Sequence, residues 1–145
     1  PDSDKLKSFV KTKKLKNVKF YGFVDEDTKI QLMHEANIFC SPALYGESFG
    51  IVLLEAMAAG VVVVAGDNDG YSSVMQGEGV ISLVNPKDTK QFAQRLKLLL
   101  EDEQQRRAWQ AWAYKYVKQF SYDKVVDKYL SLYERIIEAN SNKGS

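Results

Sequence analysis

The sequence predicts an α/β chain: a Rossmann-like parallel sheet flanked by helices, with extra helices toward the C-terminus. Three observations predict it. Short β-rich runs alternate with longer helical patterns, the order that builds crossover units. The run "VVVVAG" at 61–66 is β-branched with no polar alternation, which suits a strand covered on both faces. Asp25 and Asp88 stand where helix caps belong, and Gly60 stands where a helix ends.

The elements follow in order. "VKFYGF" at 18–23 predicts a strand ending near Gly22. "EDTKIQLMHEA" at 26–36 predicts a helix capped by Asp25, with Ile30 and Met33 on its apolar side. "NIFCSP" at 37–42 is a second strand, stopped by Pro42. A helix over 48–59 ends at Gly60, and "VVVVAG" is the third strand. "GYSSVMQ" reads as a short helix and "GVISLV" at 79–84 as a fourth strand. Asp88 caps a helix to about residue 100, and two more helices cover 103–120 and 122–139. Trp109, Trp112 and Tyr116 recur at three and four residues, which is core or interface spacing on a helix. Open parallel sheets usually hold more than four strands. The chain therefore reads as a piece of a longer protein, a partial domain over 1–140 with a disordered tail over 141–145.

Composition excludes several classes. The chain has 145 residues, of which 45% are apolar and 27% charged, so it is globular and can bury a core. Its formal net charge is +1, so no bulk field selects nucleic acid or a membrane. Cys40 is the single cysteine, expected as a small buried core residue. No apolar run approaches a membrane span, and no signal-peptide pattern opens the chain. Lys5, Lys7, Lys11, Lys13, Lys14 and Lys16 make the start basic. A solvated helix face explains them, and an acidic-lipid contact is the sharper alternative. His34, the single histidine, is expected at the surface.

In open parallel sheets ligands bind beyond the carboxyl ends of the strands. Three turns meet that rule: 22–24, 41–50 and 66–71. The middle one carries "YGESFG" directly before a helix. Free N–H groups at a helix start favour phosphate, and Gly50 admits a ligand close to the backbone. Glu47 and Glu55 are separated by seven residues. On a continuous helix they would be about 12 Å apart along the axis, whereas hydrolytic carboxylate pairs stand roughly 5–9.5 Å apart. They fit better as separate contacts along an extended ligand, one acid on a sugar and the other on a ribose, with a diphosphate between them. Plainer readings compete. Glu47 alone could be a dipole partner worth about 0.3–1 kcal/mol, and Glu55 a solvated mid-helix acid.

At these residues the chain resembles a family. "ESFGIVLLE" is similar to the Glu-seven-residues-Glu signature of retaining glycosyltransferases of family 4, and "AMAAG", "VVVVAG", "VKFYGFV", "ANIFCSPA", "NPKD" and "FSYDKVVDKYLSLY" extend the likeness over about 18–133. The resemblance implies the C-terminal, donor-binding half of a GT-B fold. It implies that Glu47 contacts hydroxyls of the transferred sugar and that Glu55 holds the ribose. Backbone N–H groups of Phe49, Gly50 and Ile51 would meet the sugar and diphosphate, and Gly22, Phe23 and Val24 would flank the base. It implies no cofactor and no metal. The donor is a nucleotide sugar, with UDP, GDP and ADP all open. The acceptor, a sugar or a lipid-linked acceptor, would be bound mainly by an N-terminal half outside this chain, so the chain alone would be inactive. No nucleic acid is implied. A cytoplasmic location follows, with peripheral contact at the inner membrane face left open.

The likeness has departures. Where many members carry a Gly-Gly pair followed by a Glu, this chain has "DNDGYSSV", with Asp69 at the first Gly and Ser73 at the acid. That variant is most similar to the phosphatidylinositol mannosyltransferase branch. Nothing before Val18 resembles the family's Arg and Lys that neutralise the diphosphate. A non-catalytic nucleotide-binding or protein-interaction module on the same fold therefore stays open as the alternative.

Overall fold

The computed structural model describes residues 3–141. Its centre is a parallel three-stranded sheet in the order β1-β2-β3: β1 is Ile38–Ser41, β2 is Val62–Gly66 and β3 is Leu83–Val84. Ile38 pairs with Val62 and Ser41 with Ala65, while Ala65 pairs with Leu83 and Gly66 with Val84. All five residues of β2 are buried. The unbroken β-branched run thus became the central strand, since only that position hides both faces.

Seven helices accompany the sheet among the described residues: α1 Ser3–Thr12, α2 Glu26–Glu35, α3 Ile51–Ala58, α4 Asp69–Val74, α5 Thr89–Glu101, α6 Glu103–Val117 and α7 Tyr122–Ser141. Their caps follow the sequence. The Asp25 carboxylate accepts from Thr28 N at 2.8 Å, and Asp88 accepts from Gln91 N at 2.9 Å. Gly60, just past the α3 cap Ala59, has φ +79°, the left-handed conformation that ends a helix without a Cβ penalty. α3 packs on β2 and α6, and α5 packs on all three strands and α6. The core joins Leu53, Ala56 and Met57 of α3 to 61–65, to Tyr71 and Val74 of α4, and to Leu99 and Trp109.

Four expectations need correction. The run 18–23 is not a strand, and Val18, Phe20 and Tyr21 are exposed. A strand exists only by pairing, and among the described residues β1 pairs with β2 alone. The run 79–84 gives only the two residues of β3. Its front is a 3-10 turn over Gly77–Ser82. Gly77 has φ +58°, and a Cβ on Gly79 would stand 2.4 Å from the Trp112 ring, so the segment is folded under that indole rather than extended. The helix expected from residue 48 begins at Ile51, because Gly50 adopts φ +86° and interrupts it. Cys40 is exposed on β1, an edge strand, and is not a core residue.

His34 is exposed and the basic helix α1 buries none of its residues, as expected. In α6, Trp109 is buried and Trp112 half-buried, whereas Tyr129 and Tyr133 of α7 are exposed. Of the expected tail, Ser141 is still helical and 142–145 lie outside the described residues.

Candidate functional site

The C-terminal ends of β1 and β2 each run into a loop, and the two loops face each other. Leu44, Tyr45, Gly46 and Glu47 on one side and Asp67, Asn68, Asp69 and Gly70 on the other line a polar groove of about 330 Å³. Asn68 ties them together. Its Oδ1 accepts from Tyr71 N at 3.0 Å, capping α4, and its Nδ2 donates to the Ala43 carbonyl at 3.1 Å. Two glycines permit the approach. A Cβ on Gly66 would stand 2.2 Å from the Ala43 carbonyl oxygen, and one on Gly70 would stand 2.2 Å from that of Glu47. Three carboxylates, Glu47, Asp67 and Asp69, border the groove; Asp67 accepts from the Ser72 hydroxyl at 2.9 Å.

Phe49, Gly50 and Ile51 form the entry to α3. Gly50 is buried, with φ +86°, and a Cβ there would stand 2.7 Å from Cδ1 of Tyr71. Ile51 is exposed. Phe49 is held by an aromatic row that begins in the core. Trp109 meets Trp112 edge-on at 5.6 Å, Trp112 stacks on Tyr116 at 4.7 Å, Tyr116 meets Phe120 at 5.3 Å, and Phe120 meets Phe49 at 6.1 Å. Such pairs add about 0.5–1.5 kcal/mol each beyond area burial. The periodic aromatics of α6 thus reach the α3 entrance, a connection the sequence does not signal because Phe49 is some sixty residues away.

Glu55 sits elsewhere. It borders a second hollow, of about 260 Å³, with Glu26, Ile30, Met33, His34, Ala58 and Ala59. Lys29 of α2 reaches it at 3.2 Å while also holding Glu26 at 2.6 Å. The hydrogen bonds to Glu26 and then to Glu55 raise the ammonium pKa above its ordinary value. The structure therefore separates the two acids: Glu47 faces the groove between the strand ends, Glu55 the gap between α2 and α3. Glu47 also lies outside the helix, so the axial spacing of a continuous helix does not describe the pair.

Gly22, Phe23 and Val24 form an irregular turn before α2. Gly22 has φ +71°, Phe23 is fully exposed and Val24 is half-buried. No hydrogen bond or ion pair among the described residues ties this turn to Glu47 or Glu55. A larger hollow, about 370 Å³, lies by the 3-10 turn before β3, lined by Gly77, Glu78, Ile81, Gln105, Ala108 and Trp109; it is away from the strand C-termini and mostly apolar. Among the described residues, no three His, Cys, Asp or Glu side chains converge as a metal site, and no helix is long and apolar enough to cross a membrane.

Two contributors escaped the sequence reading. Lys29 was legible only as a neighbour of Glu26. Tyr71 is fully buried, its hydroxyl 2.6 Å from the Ser41 hydroxyl at the end of β1. Burial pushes the Tyr71 phenol pKa up, the Ser41 hydrogen bond opposes that, and the charge and hydrogen bonding of Glu47 reinforce it.

Comparisons with known proteins meet this geometry. Residues 1–116 match the family model described as glycosyl transferases group 1. The chain is 39% identical over 120 residues to the phosphatidyl-myo-inositol mannosyltransferase of Mycolicibacterium smegmatis, covering 83% of this chain and 31% of that protein. It is 35% identical over 127 residues to the protein of that name from Mycobacterium leprae, covering 88% and 34%. It is 32% identical over 129 residues to the D-inositol 3-phosphate glycosyltransferase of Jonesia denitrificans, covering 88% and 30%. The chain spans about a third of the length of these relatives. With four-fifths of it matched by one family model, and with a parallel open sheet whose strand ends open into a polar groove, the chain belongs to the glycosyl transferases group 1 family.

Proposed function

We propose that this chain is the donor-binding part of a retaining hexosyltransferase that uses a nucleotide-activated sugar. The observation that carries the reading is the groove at the ends of β1 and β2, bordered by Glu47 in the loop that leads into α3. In this reading Glu47 accepts hydrogen bonds from hydroxyls of the transferred sugar. The N–H groups of Phe49, Gly50 and Ile51 meet the diphosphate, where a helix start favours negative charge. Glu55 takes the ribose hydroxyls, for which its two oxygens suffice, and the exposed turn at Gly22, Phe23 and Val24 flanks the base. The two acids border different hollows, which argues against a single bond-cleaving pair.

The step that follows breaks the bond between the anomeric carbon and the leaving phosphate oxygen. The acceptor oxygen bonds to that carbon on the same face, and its proton passes to the leaving phosphate. Glu47 then stabilises charge and orients the sugar. No cofactor or resident metal is called for. The acceptor, a sugar or a lipid-linked acceptor, is held mainly outside this chain. The relatives named for phosphatidyl-myo-inositol support a lipid-linked one and, with it, peripheral contact at the inner membrane face.

The test is an NMR titration of the chain with UDP, GDP and ADP and then their hexose conjugates. Shifts at 22–24, 47, 49–51 and 55, strongest for one base, support the reading. Saturating donor with no shift at any of these positions overturns it. The rival, a nucleotide-binding or interaction module without transfer, is favoured by Asp69 and Ser73 at family Gly and Glu positions. It predicts nucleotide shifts with no added effect of the sugar.

A further inference from the structure

Glu55 lies in the second turn of α3, a helix that buries Leu53, Ala56 and Met57. The core therefore fixes the backbone beneath the acid. It does not fix the carboxylate, because a long side chain on a half-exposed helix face keeps its rotamer freedom unless a neighbour removes it. That neighbour comes from α2.

Lys29 arrives in a set register. The Asp25 carboxylate accepts from Thr28 N at 2.8 Å, and Lys29 N donates to the Asp25 carbonyl at 3.0 Å, which fixes the first turn of α2. One turn further on, Met33 is buried in the core. Residues four apart share a helix face, so the face that buries Met33 also presents Lys29. The ammonium is then held from two sides. It donates to Glu55 Oε2 at 3.2 Å and pairs with Glu26 Oε2 at 2.6 Å. The Glu26 side chain is 78% exposed, against 28% for Lys29 and 39% for Glu55. Glu26 thus braces the lysine from the solvent side, and the contact to Glu55 is the more sheltered of the two.

The bond leaves the acid able to bind. A carboxylate offers about four acceptor sites. Lys29 occupies one on Oε2, and Oε1 keeps its full capacity for a pair of hydroxyls. We propose that Lys29 is a positioning residue for Glu55: reaching from α2 and braced by Glu26, its ammonium sets the direction of the carboxylate that takes the ribose. The proposal rests on the donor-site reading for its ligand, though not for its geometry. It goes beyond that reading by making ribose recognition a joint property of α2 and α3 rather than of one acid.

The test compares Lys29→Met, Glu55→Gln, the double variant and, as a control, Lys97→Met, which removes an exposed lysine paired with Glu101 at 3.8 Å. Methionine keeps most of the apolar stem while removing the charge. The first readout needs no ligand. The carboxyl-carbon resonance of Glu55 at neutral pH should move in Lys29→Met and stay in Lys97→Met. An unmoved resonance in Lys29→Met overturns the proposal. The second readout is affinity for GDP, UDP and ADP against their 2′,3′-dideoxy counterparts, which lack the ribose diol. Lys29→Met should weaken the best-bound ribonucleotide by about ten-fold, the loss expected for a hydrogen bond to a charged group, and its dideoxy counterpart by less than about two-fold. In the Glu55→Gln background it should add nothing. Equal loss for both ligands means that Lys29 acts as a general positive charge or through packing, and the same loss in both backgrounds means that it acts without Glu55; either overturns the proposal. If wild type binds no nucleotide, or binds the dideoxy form as tightly as the ribonucleotide, the donor-site reading of Glu55 fails, while the resonance still decides whether Lys29 holds the acid.

Discussion

Alanine at three glycines separates backbone strain from steric exclusion at the α3 entry. Gly60 has φ +79° with nothing within 4 Å of an added Cβ. Gly60→Ala therefore carries only the left-handed backbone penalty, about 1–2 kcal/mol. Gly79 is the converse: its φ is ordinary, but a Cβ would stand 2.4 Å from the Trp112 ring. Gly79→Ala carries only overpacking, typically about 1–3 kcal/mol. Gly50 combines both, with φ +86° and a Cβ 2.7 Å from Tyr71. Its substitution should cost about the sum, roughly 2–5 kcal/mol, a large fraction of the stability of an ordinary domain. Urea unfolding followed by fluorescence reads all three, Trp109 and Trp112 serving as reporters. The expected order of midpoints is wild type above Gly60→Ala and Gly79→Ala, with Gly50→Ala lowest and m unchanged. Should Gly50→Ala unfold no earlier than Gly60→Ala, the Tyr71 ring does not confine Gly50 and the account of this helix start is wrong.

Other outcomes follow from the same structure. Tyr71 and Tyr116 both have pKa values raised above 10.0, chiefly by burial. The folded state keeps these protons where the unfolded chain loses them. Their contribution is thus fully present below about pH 10 and is lost as pH rises through the folded values; Tyr71→Phe should flatten the alkaline limb of a stability-against-pH curve, and an unchanged limb would remove Tyr71 from the account. Phe120→Ala should loosen Phe49 and the start of α3 while leaving β2 intact, read as faster amide exchange at 49–52 with unchanged protection at 62–66. A metal chelator should leave nucleotide-sugar binding by this chain unchanged; loss of binding restored by a divalent ion would show that a metal takes part. Glu47→Ala and Glu55→Ala, which remove exposed or half-exposed carboxylates, should each weaken nucleotide-sugar affinity by ten-fold or more with the thermal midpoint within a few degrees of wild type. Wild-type affinity in both would defeat the roles assigned to the acids.

What was legible in the sequence depended on whether a local signal and a tertiary demand agreed. The caps at Asp25 and Asp88 are short-range hydrogen bonds within three residues, and composition alone predicts them. The β-branched run 61–66 declared its own burial. The failures were at positions where the outcome belongs to a distant partner. The run 18–23 has strand composition, yet a strand needs a neighbour, and the sequence of one segment cannot supply it. The run 79–84 has strand composition too, but Trp112, some thirty residues on, holds Gly79 beneath its ring.

The site divides along the same line. Glu47, Gly50 and Glu55 stand out as candidates in the sequence because a glycine before a helix and two spaced acids are local patterns. The residues that give them their geometry were not. Lys29 acts on Glu55 across 26 residues and Tyr71 on Ser41 across 30, and neither has a motif. A buried tyrosine reads as core in any sequence. Only the position of its hydroxyl, 2.6 Å from Ser41 Oγ, makes it a tie to the end of β1. That asymmetry has a physical basis: an exposed loop is held in one place only when something buried holds it. The departing segment "DNDGYSSV" therefore gives up the family's Gly-Gly pair without leaving the Glu47 loop unsupported. Asn68 bonds Ala43, Gly70 meets the Glu47 backbone, and Tyr71 meets Ser41, so three contacts from one short stretch hold the end of β1 and the loop that follows it.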